Sequence, residues 1–587
     1  MKTHTLIIAL LCLSQSLIAA ELVFPEGEWN VKNPLASADA VPGGRLVLNG
    51  IQSKSLNAYL DNFSSTGQIF GMMYETLLGM DPLTSDFTPG LALRWRISDD
   101  HMSFTFELDP AAKWSDGKPV TAEDVRWTWE KVMDPASDTG STKLSLGVFD
   151  MPEVLDERTV RFHAKEAHWR NLIAVGLYLT ILPKHAFENR DFNTINFDFP
   201  VVSGPYRLGA FRENVSVTLE RRPDWWGWGR KSNQGICNFQ TLTYRFFTEQ
   251  DNAFEALKKG DIDAYAVYTA RLWANETKGG RFDKNHIVKQ RITNHQPVGF
   301  QGFAMNMRRQ PFDDPRVRRS LAMLLDRETL NSTFMYDAYF LHASYYEDLY
   351  TGDFAKDKPA LIPFDPAAAL KLLNEAGWKR NTRTGNLEKD GKPFIINFLT
   401  RDTNADRFLA FYSAELKKHG IELKIDRKDF ASWMRDMQAF NFDMTWSSYG
   451  AGHFRDPEYM WSSAEATRPS GSNVTGFSDP AVDAFIEKQK TIFDIAERNA
   501  ILREIDATLT AQVPYILLWN INSTRLLYWD KFGRPPTVLG KFGNESAIPY
   551  LWWFDEDLAA ELTDAMQNND PLPARPVDVS FDAVFKP

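Results

Sequence analysis

The chain has 587 residues, 43% of them apolar and 13% aromatic, with 24% charged and a formal net charge of −11 at pH 7. That length exceeds what one hydrophobic core supports and predicts two or three lobes, and the apolar content excludes a disordered chain. An acidic balance without a basic stripe carrying interleaved aromatics excludes nucleic acid as the partner.

Met1-Lys2-Thr-His4, the apolar run Leu6 to Leu13 and the small residues up to Ala20 predict a secretory signal peptide over 1–20, cleaved near Ala19 or Ala20. The run is too short for a permanent anchor, and no later stretch approaches ~20 uninterrupted apolar residues. Loss of Lys2 takes the net charge from −11 to −12. Cys12 lies inside the apolar run and follows Leu11, where a lipid-attachment site carries a small residue. Cleavage leaves Cys237 alone, so no intramolecular disulfide forms and packing must supply stability.

Strand signals cluster early, at Arg45 to Leu48, Phe104 to Leu108, Val160 to Phe162 and Val215 to Leu219, each alternating apolar and polar. Between them, Asp116-Gly117 with Pro119 predicts a tight turn, and Thr121 with Asp124 predicts a capped helix start. Ala122, Val125, Trp129 and Val132 then repeat at helical spacing, which makes this stretch scaffold rather than chemistry. Asp314-Pro315 and Asp365-Pro366 each place a capping carboxylate before a first-turn proline and open helices of a dozen residues or so, the second closing at Gly377. Arg316, Arg318 and Arg319 read as the solvated side of the first of these, opposite Val317, Leu321, Leu324 and Leu325. The sharper alternative is a docking patch for a membrane partner. Phe394 to Leu399, a helix over Phe408 to His419, and Ile421 to Ile425 make a β-α-β unit and favour a parallel sheet. Strands interleaved with helices over the whole length, with no Pro/Gly/Ser linker, predict α/β lobes rather than independent beads.

Several stretches, in order, resemble one family. Trp114-Ser-Asp-Gly-Lys-Pro-Val-Thr-Ala-Glu-Asp124 is similar to the W-S-D-G-x-P-V-T-A-x-D motif of extracellular solute-binding protein family five, the dipeptide- and oligopeptide-binding proteins of bacterial ABC importers. Ser203-Gly-Pro-Tyr206, Arg222-Pro-Asp-Trp-Trp226, Gly260-Asp-Ile-Asp263, Asn306 through Arg319 to Asp326-Arg327, Phe364-Asp-Pro366 to Trp378, and His419-Gly-Ile421 match further landmarks. Tyr528 to Pro535 and Trp552-Trp553 resemble the branch that includes the microcin C importer's binding protein. The resemblance implies a bilobal type II periplasmic-binding-protein fold (cluster C). Its first lobe would be discontinuous over 21–79, 200–299 and 541–587, with an inserted small domain over 80–199 and a second lobe over 300–540. It further implies a soluble periplasmic monomer that encloses an oligopeptide or peptide-like solute between lobes, without a cofactor, and delivers it to an inner-membrane ABC permease.

Candidate site residues follow from the same resemblance. Phe442-Asp443 to Pro457 looks like the segment whose aspartate pairs with a ligand's free α-amino group, as a buried ammonium requires. Counting forward from Asp443 puts Gly452 at that place and counting back from Pro457 puts His453; Asp456 takes over if the loop bends differently, and otherwise the ligand has no free amino terminus. Asp456 before Pro457 also reads as a helix cap. Tyr449, expected past a strand end, is a candidate for stacking on ligand, whereas Trp446, alternating with Met444, suits core packing better. Asn57 falls in the first cleft-facing segment. His453, Asp456 and Glu458 are the nearest thing to a metal cluster, but Gly450, Gly452 and Pro457 make this a loop whose spacing guarantees no site. Trp225, Trp226 and Trp228 suggest a carbohydrate platform yet coincide with a structural stretch of the family. No H-E-x-x-H, G-x-S-x-G, phosphate loop or C-x-x-C is present. The alternatives are a binding protein for an oligosaccharide, opine, haem or nickel chelate, a secreted peptidase or glycosidase, and a chaperone or signalling role.

Overall fold

A computed structural model describes residues 30–61 and 64–586 of the chain. The expected signal peptide at 1–20 and Cys12 lie outside the described residues. The alternating segments form the expected strands, Gly43–Gly50, Ser103–Leu108, Thr159–His163 and Ser216–Arg221. Gly43–Gly50 lies at the middle of an eight-stranded sheet, parallel to Phe239–Phe246 on one side and to Ala264–Ala266 on the other, with Leu46 opposite Leu242 and Leu48 opposite Ala264. Ser216–Arg221 and Tyr206–Arg212 extend this sheet on one side; Ser523–Trp529, Ile287–Thr293 and Asp578–Ser580 extend it on the other. This sheet is the frame of a first lobe.

The second lobe is built on five strands in the order Glu422–Arg427, Ile395–Thr400, Met444–Tyr449, Phe300–Met305, Tyr515–Leu517. The expected β-α-β unit is here: Ile395–Thr400 and Glu422–Arg427 are parallel, joined through helix Asp406–Lys418. Strand Phe300–Met305 is buried on both faces. Phe303 and Met305 enter one apolar cluster with Phe398 and Met444, while Phe300 and Ala304 enter another with Tyr345, Trp461 and Tyr515, as the two-residue period of a strand dictates. Among the described residues the chain crosses between lobes twice, over 294–299 and again between Asn520 and Ser523. The 300–540 range therefore overshoots, because Ser523–Trp529 hydrogen-bonds with Ala264–Ala266 and Ile287–Thr293 in the first lobe's sheet.

A smaller sheet, Ala92–Ile97, Ser103–Leu108, Thr159–His163 and Glu153–Val154, shares one continuous apolar core with the eight-stranded sheet, in which Phe104, Phe106 and Phe162 join Leu46, Tyr206 and Trp552. The Trp114-to-Asp124 motif holds this region together. Gly117 takes φ +86 at the turn, which an L side chain resists, and the amide of Gly117 donates to the Trp114 carbonyl at 2.9 Å. Helix Ala122–Met133 starts on a complete capping box of Thr121 and Asp124. The buried Asp124 carboxylate accepts from the Thr121 amide and hydroxyl, each at 2.9 Å, from Trp114 Nε1 at 3.3 Å and from the Lys184 amide at 2.9 Å. One side chain thus ties turn, helix and the next segment.

Asp314 and Asp365 cap helices Pro315–Met323 and Pro366–Glu375, both shorter than a dozen residues, and Gly377 follows the second at φ +93. Arg318 is not on the solvated side. It is 1% exposed, and its guanidinium donates to the carbonyls of Gln512, Phe312 and Asp313. Burial without a carboxylate partner pushes its pKa down to about 10. Arg316 and Arg319 remain exposed.

Candidate functional site

Open α/β sheets bind ligands beyond the carboxyl ends of their parallel strands, where turns and helix starts leave backbone groups free. In the first lobe the carboxyl ends of Gly43–Gly50, Phe239–Phe246 and Ala264–Ala266 open together into a cavity of about 480 Å³, walled by Asn49, Gly50, Phe247, Tyr268, Asn544 and Glu545. A second cavity, of about 760 Å³, lies between the lobes. Its walls are residues 294–298 of the crossing segment, Thr293, Phe542 and Asp582 of the first lobe, and Tyr350, His453 and Arg455 of the second. That volume is in the range of sites that enclose a small ligand.

The loop after strand Met444–Tyr449 reaches across to the first lobe and the small-sheet region. His453 sets its ring 4.8 Å from that of Phe542, and Phe454 stacks on Phe87 at 5.9 Å and 3°. Burial holds the His453 imidazole below its usual pKa, so it is neutral at neutral pH. Arg455 pairs with Asp348. Phe454, Asp456 and Tyr459 then enclose a third, smaller space of about 180 Å³ with Ile173, Tyr178 and Leu144 of the small-sheet region.

Asp456 does not present an open carboxylate. Its Oδ2 accepts from Arg170 Nη1 at 2.7 Å, and the same nitrogen donates to Glu458 Oε2 at 2.6 Å. Its Oδ1 accepts from the Glu458 amide at 3.1 Å and from Gln489 Nε2 at 3.4 Å, while Pro457 rather than Asp456 is the N-cap of the short helix Glu458–Trp461. The metal-like grouping differs from the expected one. His168, rather than His453, joins Asp456 and Glu458, and the Arg170 guanidinium already sits between the two carboxylates as their cation. Burial pushes the His168 imidazole down to about 3, so it stays neutral. Lys490 Nζ reaches Glu458 at 2.9 Å, Trp169 Nε1 donates to Gln489 at 2.6 Å, and Arg498 lies 4.1 Å over the Trp169 ring. This network links the small-sheet region to the second lobe.

Tyr449 is the last residue of its strand, paired with Phe300, and not past its end. Its ring packs 5.0 Å from Phe300, and its hydroxyl and that of Tyr515 are 2.9 Å apart, so it belongs to a core cluster rather than a ligand platform. Trp446 packs among Phe303, Phe408 and Trp519 and donates through Nε1 to Gln301 at 3.0 Å. Asn57 is fully buried, with Oδ1 accepting from the Tyr59 amide at 3.1 Å, and offers no surface to a cleft. Trp225 and Trp226 both donate to Glu75, and Trp228 donates to the Arg222 carbonyl, so the tryptophans build a wall rather than a sugar platform.

A family model described as bacterial extracellular solute-binding proteins, family 5, middle, matches residues 86–471. The chain belongs to that family. A probable peptide-binding protein, YejA, of Agrobacterium fabrum is 31% identical over 500 residues, covering 78% of this chain and 80% of that protein. A peptidoglycan-binding protein, YepA, of the same organism is 27% identical over 581 residues, covering 89% and 92%. The structure of the oligopeptide-binding protein AppA of Bacillus subtilis in complex with a nonapeptide aligns with a TM-score of 0.65 at 21% identity, over 88% of this chain and 100% of AppA. The fold is the bilobal one of the family 5 periplasmic binding proteins.

As a solute-binding protein of family 5 rather than an enzyme, the chain needs walls and a closing surface more than reactive groups. Residue patterns do not single out Tyr268 and Glu545 on the first lobe or Arg170 on the small-sheet region. The rule that ligands sit beyond parallel-strand ends, applied to Arg45 to Leu48, points to the neighbourhood of the first two, because it fixes which edge of the sheet faces the cleft. Arg170 carries no comparable signal.

Proposed function

We propose that this protein captures oligopeptides or peptide-like solutes in the periplasm, between its two lobes, and hands them unaltered to an inner-membrane ABC permease. The observation that carries this reading is the interlobe cavity of about 760 Å³, bounded by both lobes and by the segment joining them. Two crossing segments permit hinge motion, and ligand touching both lobes shifts the equilibrium toward the closed form by its differential affinity for that form. The peptide-binding and peptidoglycan-binding relatives and the nonapeptide complex of AppA support a peptide-like ligand. The chain works as a monomer exported by the signal at 1–20, with 80–199 as the inserted domain. Within the cleft, His453 and Arg455 meet the ligand from the second lobe, while Asp456 holds Arg170.

Native mass spectrometry of protein purified without refolding tests this by weighing any co-purified ligand. A thermal-shift panel of tri- to nonapeptides, peptidoglycan fragments, oligosaccharides, opines, haem and nickel chelates follows. A true ligand at ~100 times its Kd adds about 2.7 kcal/mol of stability. Stabilisation by a non-peptide alone, or cleavage of any peptide, refutes the proposal.

A further inference from the structure

The first-lobe cavity has an unbalanced lining. Among the described residues it holds the carboxylates of Glu249 and Glu545 and no Lys, Arg or His. Glu249 is exposed and solvated, whereas Glu545 is half-buried. Oε1 of Glu545 accepts from the Tyr268 hydroxyl at 2.7 Å. Its other oxygen, Oε2, is out of contact with solvent and has no hydrogen-bond partner among the described residues. A carboxylate oxygen removed from water without a donor is costly, and a turn of the Glu545 side chain that presents it to the cavity lets a ligand supply the missing donor. The neighbouring Tyr268 ring adds an aromatic face of the kind that attracts cations.

We propose that Glu545 and Tyr268 form a cation-recognition subsite on the first lobe, taking an ammonium or guanidinium group of the bound solute. This rests on the solute-binding reading above and assigns the ligand's positive charge to the lobe opposite the 450–456 loop, whose Asp456 is already neutralised by Arg170. The subsite also touches the second lobe. The Tyr339 hydroxyl donates to the Tyr268 carbonyl at 2.8 Å, so the residue that contacts the cation is held from across the crossing segments. The cation source is either an α-amino terminus or a Lys or Arg side chain, and the two share this chemistry.

The test uses the full mature chain and its Glu545→Gln variant, in which the amide oxygen still accepts from Tyr268 and folding is verified by an unchanged Tm. Equilibrium dialysis against three peptide mixtures, read by mass spectrometry, separates the sources: peptides free of Lys and Arg with open amino termini, N-acetylated peptides containing Lys or Arg, and Arg-free peptides with every amine acetylated. The wild type is expected to retain one of the first two mixtures at least tenfold better than the third. E545Q is expected to lose at least tenfold of that retention while binding the third mixture as the wild type does. Glu249→Gln, removing the solvated carboxylate, is expected to change retention less than threefold. Equal retention of the cationic mixtures by wild type and E545Q overturns the inference. If the wild type retains no peptide, the peptide reading fails on its own. Thermal titration with lysinamide and agmatine then decides the subsite: stabilisation lost in E545Q supports it, and identical curves overturn it.

Discussion

Replacing Arg170 with Leu removes the cation that Asp456 and Glu458 share across the boundary between the small-sheet region and the second lobe. Two charge-assisted hydrogen bonds, at 2.7 and 2.6 Å, disappear together. Breaking a buried pair from one side costs about 3–5 kcal/mol, because the abandoned carboxylates stay desolvated. The three side chains keep 21%, 13% and 22% exposure, and Lys490 still serves Glu458, which reduces the expected loss to about 2–3 kcal/mol. If the two regions part when the cleft opens, the whole loss falls on the joined state, and the ratio of joined to parted molecules drops roughly 30- to 160-fold. Small-angle scattering of ligand-free protein should then show a larger radius of gyration for R170L than for the wild type. The apparent affinity for a ligand that needs closure should weaken by up to the same factor, and Asp456→Asn should give a smaller effect, because Arg170 keeps Glu458. Identical scattering curves and affinities for wild type and R170L would refute the idea that this network governs closure.

Other perturbations test the scaffold and the discarded site residues. Tyr449→Phe is expected to cost about 1 kcal/mol in urea unfolding, through the lost contact with Tyr515, and to leave ligand affinity unchanged. Asp124→Ala, which strips the capping box and the bonds to Trp114 and Lys184, should cost about 2–3 kcal/mol by the same measurement. Burial pushes the Glu75 carboxyl up from 4.5 to about 7 despite its two tryptophan donors. The folded chain therefore keeps a proton that the unfolded chain releases in that window, so this group makes stability fall as pH rises from about 4.5 to about 7. A series of Tm values against pH should lose that component of its slope in Glu75→Gln.

Local signals translated well into structure. The turn at Gly117, the capping box at Thr121, the aspartate-proline helix starts and the β-α-β unit each rest on contacts within a few residues or one crossover, and neighbouring side chains decide them. What failed was long-range. Arg318 sits in a run of three arginines that any periodicity argument puts in water, yet the carbonyl of Gln512, 194 residues on, buries it. Asp456 met an arginine 286 residues earlier, a partner no loop alignment reveals. Tyr449 failed by a single residue of strand length, which was enough to turn a proposed platform into core. Asn57 is buried, which its neighbours in sequence do not announce. Family resemblance drew attention to the loop that touches Phe542 and Phe87; it did not determine which of its side chains were already engaged.

The eight-stranded sheet draws its central strand from Gly43–Gly50 and an outermost one from Asp578–Ser580. A nascent polypeptide therefore cannot complete this sheet until almost all of it has left the ribosome, whereas the five-stranded sheet needs nothing beyond Leu517. Such sequence-distant pairing delays collapse. The last strand to emerge is thus the one that completes an edge of the first lobe's sheet, beside Ile287–Thr293.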